Sequence, residues 1–293
     1  MVVQLQTGER IHYLAWAGEH ASSALPVVLV HGLGRTAWTW LPIGRRLAGR
    51  HQVVAPDLRG HGASDAPLTG YELESLALDV LTVVAGAGWG AAVGGPPVVV
   101  AGHGMGAMIA VEMSRQQPAS VAALALVDGG WEEMVEATRL LPDQLVDAIA
   151  DPPEVLASMD TYLADRRDFD ARSWDLDQEL AARAQVSERH AGHVGPVTKG
   201  SVIRRCVESM YRYQPLEALA QAAVPLTLLM AGAASADDED ERERRLAIED
   251  AQRARVEAGT SPMRVRIFEG AGHDLMRYRP DELTAELERL AAP

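Results

Sequence analysis

The sequence predicts an α/β protein, with a mostly parallel sheet and helices on both faces. Three observations carry that expectation. Short apolar runs alternate with helical patterns along most of the chain, the arrangement of strands joined by helical crossovers. Several of these runs end in glycine-rich turns, as at Gly102-His103-Gly104-Met105-Gly106 and Glu269-Gly270-Ala271-Gly272-His273. The alternation lapses once, between Gly130 and about Gln214, where no strand-like run is visible.

Taken in order, Val2 to Gln6 and Ile11 to Ala17 read as an opening hairpin of alternating strands about Thr7-Gly8. Further strands are expected at Val27 to Val30, Val53 to Ala55, Val98 to Ala101, Ala122 to Val127, Leu226 to Met230 and Val265 to Phe268. Ala85 to Pro97 reads as a Gly/Ala-rich connector. The stretch without strands carries amphipathic helical patterns, Glu132 to Leu141 and Leu145 to Leu156, broken by Pro142, Pro152 and Pro153. The charge run from Ser235 to Arg245 reads as a solvated loop and helix start.

Composition excludes several classes of function. At 293 residues and 47% hydrophobic content, the chain can bury a sizeable core as one domain with an insertion. Its single cysteine, Cys206, cannot form an internal disulfide, and residues 1–10 show no basic segment followed by an apolar run. A cytoplasmic location is therefore expected. No apolar stretch approaches the roughly twenty residues of a membrane span. A net charge of −14 disfavours nucleic acid and anionic membranes as partners, leaving a small molecule; the oligomeric state is not legible. His190 and His193 stand at i and i+3, but no carboxylate or cysteine completes a ligand set, so neither a metal nor another cofactor is expected.

The most informative stretch is Val98 to Ala107. An apolar β-branched run enters a tight turn and leaves as a helix-like segment, Met105 to Ser114. In the pattern G-x-S-x-G, such a turn holds an attacking serine in a strained conformation that lifts its oxygen above the sheet. Here that position is Gly104, which takes up the conformation without strain and without an oxygen. No acyl-enzyme can form through residue 104.

Four segments in this order resemble the α/β-hydrolase superfamily. They are His31-Gly32-Leu33-Gly34, Asp57-Leu58-Arg59-Gly60-His61-Gly62-Ala63-Ser64-Asp65, the elbow at Gly104, and Glu269 to Asp274. The resemblance implies an α/β-hydrolase core over residues 1–129 and 215–293, with a helical cap inserted over 130–214. It also implies a general base at His273, in the loop after a C-terminal strand, where an imidazole is poised near neutral pH. The backbone N–H groups of Leu33 and Met105 stand where the family builds its oxyanion hole. The acid orienting His273 has two candidates. Asp128 ends an apolar strand at the sheet edge where ligands bind, and Asp237 lies after the penultimate strand within an acidic run; Asp128 is preferred. Trp38, Trp131 and His103 are the candidate substrate-contacting side chains, with core packing the competing role for the tryptophans, as for Trp40. His103 is typical of the family's elbow, and Asp57 resembles its turn-stabilising residue.

This superfold hosts many chemistries, so fold alone does not give function. Three readings follow. In the preferred one, a His-Asp dyad and oxyanion hole perform acid/base chemistry without a covalent intermediate on a small carbonyl compound: hydrolysis by water, or the lyase, epimerase or cyclase steps of atypical members in secondary metabolism. In the second, the chain is a serine esterase inactivated by substitution at position 104. In the third, it is a non-catalytic pseudoenzyme that binds a ligand in the capped pocket.

Overall fold

The structure is a computed structural model, and it describes residues 1–17, 24–232 and 238–292. Its strands are β1 (Val2–Gln4), β2 (Arg10–Trp16), β3 (Val27–Val30), β4 (Val53–Pro56), β5 (Val98–His103), β6 (Val121–Val127), β7 (Val186–Glu188), β8 (Val194–Pro196), β9 (Leu226–Gly232) and β10 (Arg264–Glu269). The helices are α1 (Leu41–Leu47), α2 (Leu73–Gly86), α3 (Met105–Gln116), α4 (Met134–Thr138), α5 (Pro142–Ala148), α6 (Met159–Phe169), α7 (Leu176–Gln185), α8 (Gly200–Met210), α9 (Pro215–Gln221), α10 (Asp238–Glu257), α11 (Leu275–Tyr278) and α12 (Pro280–Ala291).

Eight strands form one sheet in the order β1-β2-β4-β3-β5-β6-β9-β10. β2 runs antiparallel to β1 and β4, and β4, β3, β5, β6, β9 and β10 pair in parallel in that order. The opening hairpin and the six later strands thus fall where the apolar runs predict them. β3, β4 and β5 are buried throughout, so successive side chains feed two different cores. Val28, Val30, Val98 and Val100 join the layer of α2, α3 and α9. Val27, Leu29, Val99 and Ala101 join α1 and α12 on the opposite face.

Between β6 and α9 the chain leaves the sheet, as the lapse in alternation implies. Two details differ from the sequence reading. β7 and β8 form a small antiparallel hairpin in the stretch expected to lack strands. Three-residue strands are too short to show alternation. What stabilises them is burial of Val186 and Val194 against Tyr162 and Ala182, in a core separate from the sheet. Pro142 opens α5 at its first position instead of breaking a longer helix, because a helix's first N–H needs no partner there. His190 and His193 lie at the exposed tip of the β7–β8 hairpin.

Candidate active site

Strand order brings the ends of β3, β5 and β6 side by side, and the loops leaving them build the site. At the elbow, Gly104 has φ 53° and ψ −116°, a region that L side chains enter only under strain. The turn is tight because α3 lies close on the sheet. A Cβ on Gly106 would meet the Val30 carbonyl oxygen at 2.2 Å, so only glycine admits this approach. A Cβ on Gly104, by contrast, would find open space bounded by His273, 3.5 Å from Nε2 and 3.7 Å from Cε1.

His273 is held by Asp128. The imidazole Nδ1–H donates to Asp128 Oδ2 at 2.7 Å, and the other carboxylate oxygen accepts from the Ala231 N–H at 2.9 Å. Asp128 adopts φ 47°, rare for a non-glycine residue, which turns its carboxylate toward the β10 loop. The next residue presses onto the elbow, since a Cβ on Gly129 would lie 2.6 Å from Gly104 Cα. Burial acts to lower the His273 pKa, but the hydrogen bond and charge of Asp128 outweigh it and hold the imidazole above its ordinary value. Burial raises the Asp128 pKa, and the His273 contact outweighs that too, keeping the carboxyl below the usual range. The result is an oriented imidazole with Nε2 turned toward the space above Gly104. His273 is still reached by solvent, 58% of its side chain being accessible, because it faces an open cavity.

The loop from His31 to Arg35 is braced on three sides. His31 donates from Nδ1 to the Gly32 carbonyl, and its Nε2 accepts from the Leu58 N–H at 3.0 Å. Asp57 accepts from the Ala37 and Ala63 N–H groups and from His12, so it ties three segments together. Arg35 reaches across to Asp274 at 2.8 Å, linking this loop to that of His273. Among the described residues, neither Leu33 nor Met105 donates a backbone hydrogen bond; Met105 is the first residue of α3, where the N–H has no intrahelical partner.

His103 is fully buried beside the elbow. Its Nε2–H donates to the His273 carbonyl at 3.1 Å and its ring lies 4.3 Å from that of His273. Burial first, and then the neighbouring His273, push its pKa down to about 3, so it is a neutral spacer that fixes the His273 backbone.

All these groups open onto one cavity of about 640 Å³ between the sheet edge and the segment from α4 to α8. Leu33, His103, Gly104, Met105, Asp128, Trp131 and His273 line it. Trp38 does not. It sits half-buried on the 3-10 turn Ala37–Trp40, which packs against α7, while Trp40 fills the core beneath. Two tryptophans two residues apart on such a turn point different ways, and neither faces the cavity. Asp237 lies outside the described residues. Among the described residues there is no group of three His, Cys, Asp or Glu arranged to hold a metal ion, and no helix long and apolar enough to cross a membrane.

Among the wall residues that sequence reasoning did not find are four, Arg35, Glu132, Tyr162 and Arg166. None belongs to a motif, and three of them reach the cavity only through the fold of the 130–214 segment. Glu132 follows Trp131 on the loop after Asp128, and burial, opposed by Arg244, raises its pKa to about 7.

The comparisons agree with this architecture. The model of the alpha/beta hydrolase family matches residues 27–287. A soluble epoxide hydrolase from Corynebacterium sp. (strain C12) is 33% identical over 121 residues, covering 41% of this chain and 38% of that protein. A 2-(acetamidomethylene)succinate hydrolase from Mesorhizobium japonicum is 29% identical over 140 residues, 48% of each chain. The matches span 33% to 48% of the length of such curated relatives. Among solved structures, an E-2-(acetamidomethylene)succinate hydrolase superposes with a TM-score of 0.78 at 17% identity, covering 99% of this chain and 98% of that one.

Proposed function

The chain belongs to the alpha/beta hydrolase family, and from that membership we propose that it is an enzyme working without a covalent nucleophile. Its substrate is a small carbonyl compound, and the chemistry is acid/base chemistry by the His273–Asp128 dyad. The observation that carries this reading is the pairing of an oriented imidazole with a side-chain-free position directly opposite its Nε2.

In hydrolysis, a water occupies the space above Gly104 and gives a proton to His273 Nε2 as its oxygen attacks the carbonyl carbon. Asp128 stabilises the imidazolium and fixes the tautomer with the proton on Nδ1. Negative charge forming on the carbonyl oxygen is met by the N–H groups of Leu33 and Met105. As the C–O or C–N bond breaks, the leaving group takes the proton from Nε2. The same base and oxyanion donors suit removal of a proton next to a carbonyl, the first step of an elimination or epimerisation. The relatives' names, soluble epoxide hydrolase and 2-(acetamidomethylene)succinate hydrolase, support a hydrolytic step.

One observation favours a second reading, an inactivated serine hydrolase. The elbow keeps φ 53°, and a Cβ there would sit 3.5 Å from His273 Nε2, the setting a serine nucleophile requires. Screening the native chain and His273→Ala against esters, amides and enol lactones tests the proposal. Turnover by the native chain that falls by about 10²- to 10⁴-fold in the alanine variant is the expected result. Undiminished turnover in that variant overturns it, and absence of turnover throughout the screen returns the inactivated reading.

A further inference from the structure

The cavity wall is chemically divided. Met108 on α3, Met134 on α4, Leu145 on α5 and Ile203 and Met210 on α8 form an apolar side. Unbranched methionines adapt to irregular and aromatic shapes, so this side accepts a range of apolar groups. The other side is polar and comes from different elements. Arg166 on α6 pairs with Asp151 and lies 4.8 Å over the Tyr162 ring. Arg35 is pinned by Asp274 at 2.8 Å and approaches Gln185 at 3.5 Å. Each guanidinium is thus fixed from behind while about a third of its side chain stays accessible, 33% for Arg166 and 34% for Arg35. In the same wall, the Thr198 hydroxyl is buried, Thr198 being only 5% exposed, with no hydrogen-bond partner among the described residues.

Charge points the same way. The whole chain carries 41 acidic against 27 basic residues, yet among the described residues the cavity wall holds three arginines, Arg35, Arg166 and Arg244, against Asp128, Asp151 and Glu132. Glu132 faces Arg244 from α10, Asp128 from the turn after β6 and Glu136 from α4, and burial raises its pKa to about 7. Arg166 and Arg35 each pair with one carboxylate, Asp151 and Asp274, and each keeps about a third of its side chain accessible.

Taking the cavity as the substrate site, as the reading above does, we propose that it binds a carboxylate through Arg166 and Arg35, with the apolar remainder of the molecule on the methionine side. A fixed guanidinium presents paired donors to a carboxylate, and such charge-assisted hydrogen bonds in a confined site outweigh neutral ones.

Calorimetric titration of the intact chain at pH 6.5 with 4-phenylbutyrate and its neutral amide, 4-phenylbutyramide, tests this directly. The acid is expected to bind at least about tenfold more tightly than the amide, the scale of one charge-assisted hydrogen bond. Arg166→Gln removes that preference while leaving amide binding intact, which also shows that the variant is folded; Arg35→Gln reduces it. Equal affinities for acid and amide in the native chain overturn the proposal. So does a preference that survives in both variants, or absence of binding by both probes at about 10 mM. His273→Ala keeps the preference, so failure of the catalytic reading leaves this result standing and the two are separable.

Discussion

At residue 104 the chain lacks only one hydroxymethyl group from a serine-hydrolase elbow, and the backbone is already set to receive it. Gly104→Ser would place a hydroxyl against His273 Nε2, where a Cβ meets nothing closer than 3.5 Å. Its cost is conformational: a non-glycine residue at φ 53° gives up on the order of 1 kcal/mol of stability. The serine variant should hydrolyse short p-nitrophenyl esters well above the native chain and take up a fluorophosphonate at residue 104, which the native elbow leaves unreacted. A folded variant with neither property would mean that the dyad does not act on this position. Asp128→Asn probes the partner. Because Asp128 is what holds the His273 pKa above its ordinary value against burial, its loss lets burial prevail and the pKa falls. A base is active when neutral, so the acid limb of the rate profile should move to lower pH in the variant, while the maximal rate drops with the loss of tautomer control. A limb that stays in place would assign the titration to another group.

The element scale decides how much was legible beforehand. The strands, the elbow, the His31 loop and the His273 loop could be read because glycine spacing and apolar runs are local signals of backbone geometry. Asp128 was legible for a related reason: a carboxylate directly after an apolar strand has one place to go, the sheet edge. The β7–β8 hairpin was not, since its stability lies in contacts with Tyr162 and Ala182 that no local pattern encodes. Arg166 was hidden for the same reason, because which charged residues of a helical insertion face inward is fixed by tertiary packing, and Arg35 because its direction is set by Asp274 on a distant loop. Trp38 shows the converse error. Proximity to a functional loop does not set direction on a 3-10 turn. The closeness of α3 to β3 yields a prediction of its own. Gly106→Ala would drive a methyl group to 2.2 Å from the Val30 carbonyl oxygen, a backbone atom that cannot swing aside. Overpacking of this kind costs about 1–3 kcal/mol, read as a lower urea midpoint, and displaces the elbow from His273. Wild-type stability in this variant would mean that the approach of α3 to β3 does not require glycine.

For the whole molecule, the loops that build the site are locked together by buried histidines, and that leaves a mark on stability against pH. Burial lowers the pKa of His31, and it brings His61 and His103 down to about 3 from an ordinary 6.5. The unfolded chain therefore binds protons at these positions from about pH 6.5 downward while the folded chain does not, so acidification removes stability. Each such histidine contributes a slope of up to about 1.4 kcal/mol per pH unit. Glu132 opposes them. Its folded pKa of about 7 exceeds its ordinary 4.5, so it adds stability as the pH falls between those values and no more below. His273, raised above 6.5, has its full stabilising effect at any lower pH and adds no slope there. Below about pH 4.5 Glu132 no longer opposes the three histidines, and Asp57, Asp128 and Asp274, all held below 3.8, lose their favourable ionised contacts as well. Stability from urea unfolding should thus decline gently from pH 6.5 to 4.5 and steeply beneath it. His61→Gln should flatten the curve by about one proton's worth, roughly 1.4 kcal/mol per pH unit, whatever it does to stability at pH 7. A slope unchanged by that substitution, or a curve that is flat down to pH 4.5, would mean that these imidazoles are charged in the folded chain and that the loops are held by something other than neutral buried histidine.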